Sequence, residues 1–467
     1  MIKNENMKYT LKYHSLPADT LTPVSVYLRI RDQFPESLLL ESSDYNSNKN
    51  SFTFIVGGLM ENFKIEEDKL YVNNELKGEA RNFDIPLELK RFIAGIDVQQ
   101  EGDPFQFNGI YGFTGFEAVK YFDTLPFENK RREEQIPLMN YGFYRFIVAI
   151  NHFNDDVLIL ENIPEGEEVQ LDDFVNTVYA QKLPAFHFKA MDDEQSPITG
   201  EDFMQLVEKG KEYCRLGEVF QIVFARRFSL SFKGDEFNVY RALRSVNPSP
   251  YLFYFDYGNY KLFGSSPESQ LVISEGKAVL NPIAGTYKKT GDFKLDKILG
   301  EELSRDPKEN AEHTMLVDLA RNDLGKFCSD VEVTKYKEIQ HFSHVIHIVS
   351  EVKGKVDNKE TSIDIFGATF PAGTLSGAPK YRALELIHQN EKHERGFYGG
   401  TVGIISLTGD INTAITIRSI LSQNGKLHYQ AGAGVVVDSV PEKELKEVDN
   451  KLGALRKAIK LAEKFNK

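Results

Sequence analysis

The sequence predicts an α+β fold with largely antiparallel β-sheets, and three observations lead to this prediction. Short apolar and aromatic runs separated by turns, as in residues 51–59 and 141–150, are typical of strands. Residues 251–281 predict consecutive antiparallel strands joined by tight turns, whereas residues 201–216 carry apolar side chains at helical intervals. Because the chain lacks a strict strand–helix alternation, the pattern argues against a doubly wound parallel sheet.

The other elements are predicted in order along the chain. Residues 219–230 read as a strand, and a helix should begin near Asp306, with Pro307 at its first position and Glu309 completing a capping box. We then expect, in turn, a strand at 343–353, a glycine-rich loop at 370–380, a helix at 379–391, three strands at 401–407, 412–421 and 427–437, and a closing helix from 441 to 459.

Composition limits the classes of function. The 467 residues are 41% hydrophobic and 27% charged, which is typical of a globular protein, and the net charge of −13 argues against nucleic-acid binding. A change in character at 166–199 predicts a connecting segment between an N-terminal region, 1–165, and a larger region, 200–467. With two cysteines, no signal-peptide core and no long apolar run, we expect a cytoplasmic protein that does not enter membranes.

Two pairs of glutamates share a spacing of three residues. Glu444 and Glu447 lie on one face of the closing helix, with Lys451 four residues beyond Glu447, and this is also the pattern of a solvated ion-pair stripe. Glu309 and Glu312 lie near the start of another helix, where a capping box would explain Glu309 equally well. Carboxylates from two converging helices could bind Mg²⁺, whereas no cysteine or histidine spacing favours zinc.

Two small-residue segments could bring backbone N–H groups close to an anion. Residues 373–380, G-T-L-S-G-A-P-K, precede a helix but do not match a P-loop, and residues 431–434, A-G-A-G, permit a close approach of the backbone. A tight turn explains either segment equally well.

Three further residues are candidates with an ordinary alternative each. His347 lies in an apolar strand, where a hydrogen-bonded core histidine is common. Arg418 lies in a second predicted strand and needs a counter-charge, which a substrate carboxylate or a structural acid would supply. Glu268, in S-S-P-E-S, could be a turn residue.

Taken together, these segments resemble the chorismate-utilising enzymes, and within that family the aminating anthranilate synthase branch. The resemblance is strong over about 200–465 and rests on motifs in this order: S-P-E-S, P-I-A-G-T, A-E-H-x-M-L-V-D-L-x-R-N-D, H-V-x-H-x-V-S, G-T-L-S-G-A-P-K, R-G-x-Y-G-G and A-G-A-G-V-V-x-D-S-x-P-x-x-E. It implies an orthogonally packed two-layer β core with helices outside. The implied reaction converts chorismate and ammonia to anthranilate and pyruvate, the first committed step of tryptophan biosynthesis.

The resemblance also implies roles for individual residues. Glu268 would be the general acid, His347 would act in pyruvate elimination, and Mg²⁺ would be held by Glu312 and Glu447 with Glu309 and Glu444 in support. The residues implied to surround the substrate are Gly285, Thr286, Thr374, Tyr398, Arg418, Gly432, Gly434 and Lys451.

Two positions point to the amination of ring carbon C2. The sister enzyme aminodeoxychorismate synthase has a nucleophilic lysine where this chain has Ala284, and relatives that add water have a lysine base where it has Gln221. Aminodeoxychorismate synthase and a catalytically inactive tryptophan-binding homologue remain the alternatives.

Regulation and partners follow from the same resemblance. L-L-L-E-S-S-D (38–44) and N-P-S-P-Y (247–251) resemble tryptophan-binding elements, which implies feedback inhibition through Glu41, Ser42, Pro250, Tyr251 and Leu252. Neither cysteine lies in a glutaminase context, so ammonia would come from a separate glutamine amidotransferase subunit, in a heterotetramer.

Overall fold

The structure is a computed structural model that describes residues 7–42, 51–99, 103–128, 130, 134–181, 186–341 and 345–466. The helices in these ranges are α1 (Pro23–Ile30), α2 (Ile85–Ala94), α3 (Leu171–Val178), α4 (Gly200–Arg215), α5 (Phe237–Val246), α6 (Phe293–Arg305), α7 (Pro307–Leu324), α8 (Ser362–Thr369), α9 (Lys380–Asn390) and α10 (Pro441–Ala462). In the same ranges, no helix has the length and apolar character needed to cross a membrane.

Strands make up most of the rest of the fold. They are β1 (Met7–Pro17), β2 (Leu38–Glu41), β3 (Phe52–Glu66), β4 (Lys69–Val72), β5 (Glu75–Glu79), β6 (Ile96–Gln99), β7 (Gly109–Thr114), β8 (Met139–Asn151), β9 (Asp156–Pro164), β10 (Phe188–Ala190), β11 (Gln221–Gly234), β12 (Tyr251–Asp256), β13 (Tyr260–Ser266), β14 (Ser269–Ser274), β15 (Lys277–Leu280), β16 (Ile283–Lys288), β17 (Ser329–His341), β18 (Val345–Lys355), β19 (Gly377–Ala378), β20 (Thr401–Ser406), β21 (Ile411–Ile415), β22 (Ser419–Gln423) and β23 (Lys426–Val435).

Two arms of antiparallel strands extend from the long strand β8. The first arm runs from β3 through β2, β12, β13, β22 and β23 to β11. The second arm runs from β7 through β20, β21, β14 and β15 to β18, which also pairs with β16 and β17. The described pairing of β1 with β6 is parallel. The predicted α+β class, a large and mainly antiparallel sheet with helices, is confirmed.

The chain crosses between the arms at two neighbouring points. Residues 267–268 connect β13 of the first arm to β14 of the second, and residues 416–418 return from β21 to β22. Since β13 pairs with β22 and β14 pairs with β21, the two crossings lie side by side. This topology, with interleaved strands far apart in sequence, brings distant motifs to one place.

Most predicted elements are present, and two predictions are wrong. Residues 412–421 are not one strand, because the chain bends at Arg418, whose φ of 50° lies in the left-handed region that breaks a strand. The capping box at α7 is also incomplete. Asp306 accepts from the N–H groups of Lys308 and Glu309, but its own N–H donates to Leu303 O, so the Glu309 side chain does not complete the box.

Candidate active site

Glu268 and Arg418 lie at the two crossings between the arms. Thr374 Oγ1, from the glycine-rich loop, donates to Glu268 Oε1 at 2.9 Å. Burial raises the pKa of Glu268 to about 7, because ionisation would place a charge away from water. The hydrogen bond from Thr374 and the positive charges of Lys451 and Arg418 oppose this rise. Glu268 can therefore hold a proton near neutral pH, as a general acid must.

Arg418 is held in an uncommon backbone conformation. A residue other than glycine with φ near +50° costs free energy, and such strain is often found at functional sites. Its Nη1 donates to Asn247 Oδ1 at 3.5 Å, and its carbonyl accepts from Ser265 N. Arg418 was predicted to lie within a strand, but it lies at the bend between β21 and β22, beside Glu268.

His347 is fixed by a β-bulge in the P-I-A-G-T segment. Ala284 pairs with Ile348 and Thr286 with His347, so Gly285 is the extra residue, and its φ of 66° suits glycine. His347 Nδ1 donates to Gly285 O at 2.8 Å. A carbonyl can only accept, so Nδ1 carries the proton and Nε2 is the basic nitrogen. Burial lowers the pKa of His347, which keeps the ring neutral.

Small residues of β23 border the same region. Lys451 Nζ donates to Gly432 O at 2.8 Å and lies 2.8 Å from Glu447 Oε1. A Cβ on Gly432 would come within 3.2 Å of Tyr398 Oη, and a Cβ on Gly434 within 2.5 Å of Gln221 Nε2. At Gly432 a Cβ would also come within 2.6 Å of the backbone oxygen of Phe224, so glycine is required there, whereas at Gly434 the Gln221 side chain would have to move. We call Glu268, His347 and Arg418 the acid–base end of the site.

Glu309, Glu312, Glu444 and Glu447 form what we call the acidic end. A Cβ on Gly285 would lie 3.0 Å from Glu309 Oε2, so the P-I-A-G-T bulge packs directly against α7. Glu444, on α10, is buried, whereas Glu447 is half-exposed in the predicted ion pair with Lys451. The acidic end thus adjoins the same bulge that holds His347.

The carboxylates of the acidic end influence one another across the two helices. Burial, together with the negative charges of Glu309, Glu444 and Glu447, raises the pKa of Glu312 to about 7, and Lys308, whose Nζ lies 3.8 Å from Glu312 Oε1, opposes the rise. The pKa of Glu309 is likewise raised by burial and by Glu447 on α10. The carboxylates of α7 and α10 are thus within electrostatic reach of one another, and a cation between them would relieve the repulsion.

These oxygen donors fit a magnesium ion in type. In the ranges that the structure describes, no three His, Cys, Asp or Glu side chains are already arranged to hold a metal. Mg²⁺ usually takes one or two carboxylates and completes its shell with waters and ligand oxygens, so a compact protein cage is not required. The magnesium prediction stays a prediction, with Glu312 and Glu447 as its ligands and Glu309 and Glu444 beside them.

Arg395 was missed as a functional residue, although its motif, R-G-x-Y-G-G, was noted. It is fully buried and pairs with Glu391 through Nε and Nη2, at 2.8 and 2.7 Å. Its Nη1 donates to Leu375 O beside Thr374, and its carbonyl accepts from Tyr398 N. Arg395 therefore fixes two segments of the site at once. An arginine inside a small-residue motif was the available signal.

The two segments with the predicted tryptophan-binding residues pair directly. Glu41 lies opposite Leu252 where β2 pairs with β12, immediately after Pro250 and Tyr251. Tyr240 Oη donates to Glu41 Oε1 at 2.5 Å and Arg244 Nε to Oε2 at 2.9 Å. Ser42 N donates to Phe52 O, while Ser43 and Asp44 lie outside the described residues. The structure thus joins the two motifs, although it does not show a ligand.

A mainly antiparallel sheet whose two arms bring together a buried carboxyl, a neutral histidine and a cluster of carboxylates defines a class of protein, and comparison with known proteins identifies that class. The family model described as chorismate binding enzyme matches residues 40–457, and the chain belongs to this family.

Relatives are similar along nearly the whole chain. Anthranilate synthase component 1 from Aquifex aeolicus is 36% identical over 98% of this chain and 96% of its own length. The protein of that name from Bacillus subtilis is 34% identical over 97% of this chain and 94% of its own length.

Solved structures agree with this assignment. The crystal structure of anthranilate synthase component I from Streptococcus pneumoniae has a TM-score of 0.78 and 32% identity, covering 94% of this chain and 99% of that one. The menaquinone-specific isochorismate synthase from Escherichia coli has a TM-score of 0.75 with 20% identity, covering 97% of this chain and 95% of that one, which is a likeness in fold alone.

Proposed function

We propose that the chain is the aminating subunit of an anthranilate synthase, which converts chorismate and ammonia to anthranilate and pyruvate. The observation that carries this proposal is the placement of a protonated acid and a neutral base beside one arginine. The first half of the reaction needs an acid and the second half needs a base. The relatives named anthranilate synthase component 1 support the same substrate class.

Amination replaces the C4 hydroxyl of chorismate with a C–N bond at C2. The nitrogen lone pair of ammonia attacks C2, both conjugated double bonds of the ring shift by one position, and the C4–O bond breaks. Hydroxide is a poor leaving group, so Glu268 gives its proton to the departing oxygen, which leaves as water. The new ammonium group returns one proton to Glu268 or to solvent, which completes the balance. Arg418 and Tyr398 would bind the enolpyruvyl carboxylate during this step.

Elimination then removes pyruvate and forms the aromatic ring. His347 Nε2 takes the C2 proton, the electron pair forms the third double bond of the ring, and the bond between the ring carbon and the enolpyruvyl oxygen breaks. The departing enolpyruvate takes up a proton from solvent and becomes pyruvate. The Gly285 carbonyl keeps Nδ1 protonated and so presents Nε2 as the base. Glu312 and Glu447 would hold Mg²⁺, which supplies positive charge that neutralises and orients the ring carboxylate.

The absence of a nucleophilic side chain at C2 favours ammonia as the nucleophile. Ala284 offers none, and Gln221 cannot deprotonate water. Burial raises the pKa of the Cys214 thiol, and it raises the pKa of the Cys328 thiol to about 11, so neither cysteine is a ready thiolate that could release ammonia from glutamine. A separate glutamine amidotransferase subunit, in a heterotetramer, is the source that we propose.

Product identity tests the proposal. Purified chain with chorismate, Mg²⁺ and ammonium at alkaline pH should release anthranilate, identified by fluorescence and mass. An aminated product that keeps its enolpyruvyl group would instead indicate aminodeoxychorismate synthase. Tryptophan binding without any turnover would indicate an inactive homologue.

We also propose feedback inhibition by tryptophan at Glu41, Ser42, Pro250, Tyr251 and Leu252. Coupling between this pocket and the active site is supported by the chain connection between them. Strand β12, which carries Tyr251 and Leu252, directly follows the segment with Asn247, and Asn247 contacts Arg418 of the active site. Millimolar tryptophan should inhibit the wild type, and Glu41→Gln should weaken inhibition, whereas the exposed Glu79→Gln should not. Unchanged wild-type activity in tryptophan would refute this proposal.

A further inference from the structure

Lys380 and Asp323 form a buried ion pair that the proposed mechanism does not use. Lys380 is the first residue of α9, at the end of the glycine-rich loop, and Asp323 lies in the last turn of α7. Lys380 Nζ donates to Asp323 Oδ2 at 2.6 Å, and the two side chains are only 11% and 8% exposed. The pair is therefore largely shielded from water, and it joins two elements that both carry proposed site residues.

The same ammonium group also caps helix α8. Lys380 Nζ donates to Thr369 O at 3.2 Å and lies 3.5 Å from Ala368 O, and both carbonyls are at the end of α8. Carbonyls in the last turn of a helix have no partner within the helix, and a lysine can donate to them. One side chain thus joins α7, α8 and α9.

From α8, further buried contacts lead to the acid–base end. Gln270 Nε2 donates to Thr369 Oγ1 at 2.9 Å, and Gln270 Oε1 accepts from Thr413 Oγ1 at 2.9 Å. Gln270 follows Glu268 by two residues in β14, and Thr413 lies in β21, which ends three residues before Arg418. All three bonded side chains are buried. The polar contacts therefore run from α7 to the strands beside both crossings between the arms.

Helix α7 connects these contacts to the acidic end. Glu309 and Glu312 lie in its first two turns, whereas Asp323 lies in its last. The glycine-rich loop lies against the middle of α7, because a Cβ on Gly373 would overlap the Leu319 side chain. Since successive turns of an α-helix are hydrogen-bonded to each other, fixing the last turn of α7 also constrains its first turns.

Stability alone does not account for such a network. Apolar residues of similar volume in place of a buried ion pair are often neutral or stabilising. A satisfied polar network instead specifies one arrangement of the elements that it joins. A second pair provides a comparison, since Lys90 Nζ donates to Asp364 Oδ2 at the same distance of 2.6 Å. This second pair joins α2 to the first turn of α8, and neither helix carries a proposed site residue.

We propose that Lys380 and Asp323 are positioning residues, which hold the acid–base end and the acidic end at the separation that one chorismate molecule requires. This inference rests on the proposed function. The acidic end would hold the ring carboxylate through its cation while Glu268 protonates the departing C4 oxygen, so both ends must act on one ring at the same time. A displacement of about 1 Å between reacting groups can lower a rate on the order of 10²-fold. Either end alone would still bind its part of the substrate.

The test removes both charges of the pair, so that neither is left buried and unpaired. The double variant Lys380→Met/Asp323→Leu should lower kcat about 10–100-fold and change the KM for chorismate by less than about threefold, because binding is kept while alignment is lost. The double variant Lys90→Met/Asp364→Leu is the matched control and should keep the wild-type kcat. Asp323→Asn keeps the shape of the side chain and an acceptor for Lys380, so this milder variant should lower kcat by a smaller factor. Rates are compared well below the melting temperature of every variant.

The outcomes separate this inference from the proposed function. If the wild type forms no aminated product, the proposed function fails. If the wild type forms anthranilate but Lys380→Met/Asp323→Leu keeps the wild-type kcat, the inference alone is wrong. Equal losses of kcat in the two double variants would show general structural damage and would also overturn it. If Lys380→Met/Asp323→Leu does not fold, Asp323→Asn decides, since a lowered kcat with an unchanged KM supports the inference and an unchanged kcat overturns it.

Discussion

The acid–base end and the acidic end of the site differ in how their charged side chains are stabilised. At the acid–base end, Glu268 accepts a hydrogen bond from Thr374, and His347 donates one to Gly285. The left-handed backbone conformation of Arg418 sets the direction of its side chain, which also contacts Asn247. At the acidic end, the four glutamates repel one another, with Lys308 and Lys451 as partial counter-charges. The first end is pre-organised by protein contacts, whereas the repulsion at the second end would be relieved by the cation that we propose.

The largest effect should come from removing a charge at the acidic end. Glu447→Gln should lower turnover on the order of 10³-fold, because it removes a proposed ligand for the cation that would neutralise the substrate carboxylate. Steady-state rates at saturating Mg²⁺ measure this loss. Glu442→Gln, an exposed glutamate on the same helix, is the control and should keep wild-type turnover. Equal turnover in the Glu447 and Glu442 variants would show that the acidic end does not contribute to catalysis in this way.

His347→Gln should separate the two halves of the reaction. Without a base, elimination should slow by about 10²–10⁴-fold, whereas amination still has its acid. Mass spectrometry should then detect an intermediate that has gained nitrogen and kept its enolpyruvyl group. If both steps slow equally, His347 does not act at elimination alone.

Glu268 should make stability depend on pH. A carboxyl with a folded pKa of about 7, against about 4.5 when unfolded, binds more protons in the folded state between these values. The free energy of unfolding therefore falls as pH rises from 4.5 to 7. Glu268→Gln cannot ionise and should be more stable than the wild type by up to about 3 kcal/mol at pH 8, with no such gain at pH 4.5. Chemical denaturation at both pH values measures this.

Catalysis should respond in the opposite direction to stability. Glu268→Gln should abolish amination at every pH, since the amide cannot donate a proton to the leaving oxygen. A variant that gained stability at pH 8 and kept its activity would show that Glu268 is not the acid.

Thr374→Val should produce the smallest effect. The Thr374 hydroxyl stabilises ionised Glu268, so its loss should raise the pKa of Glu268 further. The alkaline limit of turnover, measured at a constant concentration of unprotonated ammonia, should move to higher pH. A limit that stays in place would mean that another group sets it.

Local signals in the sequence predicted much of the fold. Pro307 after Asp306 predicted the start of α7, and the spacing of the C-terminal glutamates predicted a face of α10, because both depend on neighbouring residues. The bend at Arg418 could not be predicted, since an arginine carries no local preference for positive φ. Helix α6 was also missed, and its exposed apolar residues, such as Phe293 and Leu295, give only a weak helical pattern.

Candidate residues were easier to predict than their contacts. The motif resemblance placed Glu268 and His347 in one site, but the partners Thr374 and Gly285 come from strands and loops far away in sequence. The same holds for Arg395, whose partners lie in β11, in the glycine-rich loop and at Glu391, just after α9. Such contacts depend on the order in which strands pair, which the sequence pattern does not specify.

Magnesium binding is the most direct test of the central claim, that α7 and α10 bring their glutamates together around one cation. Calorimetric titration with Mg²⁺, with chorismate present and ammonia absent, should show one ion per wild-type chain. Glu312→Gln and Glu447→Gln should each weaken this binding at least tenfold, while Glu442→Gln should not. Wild-type chain that takes up no Mg²⁺, or binding that both variants retain, would contradict the account.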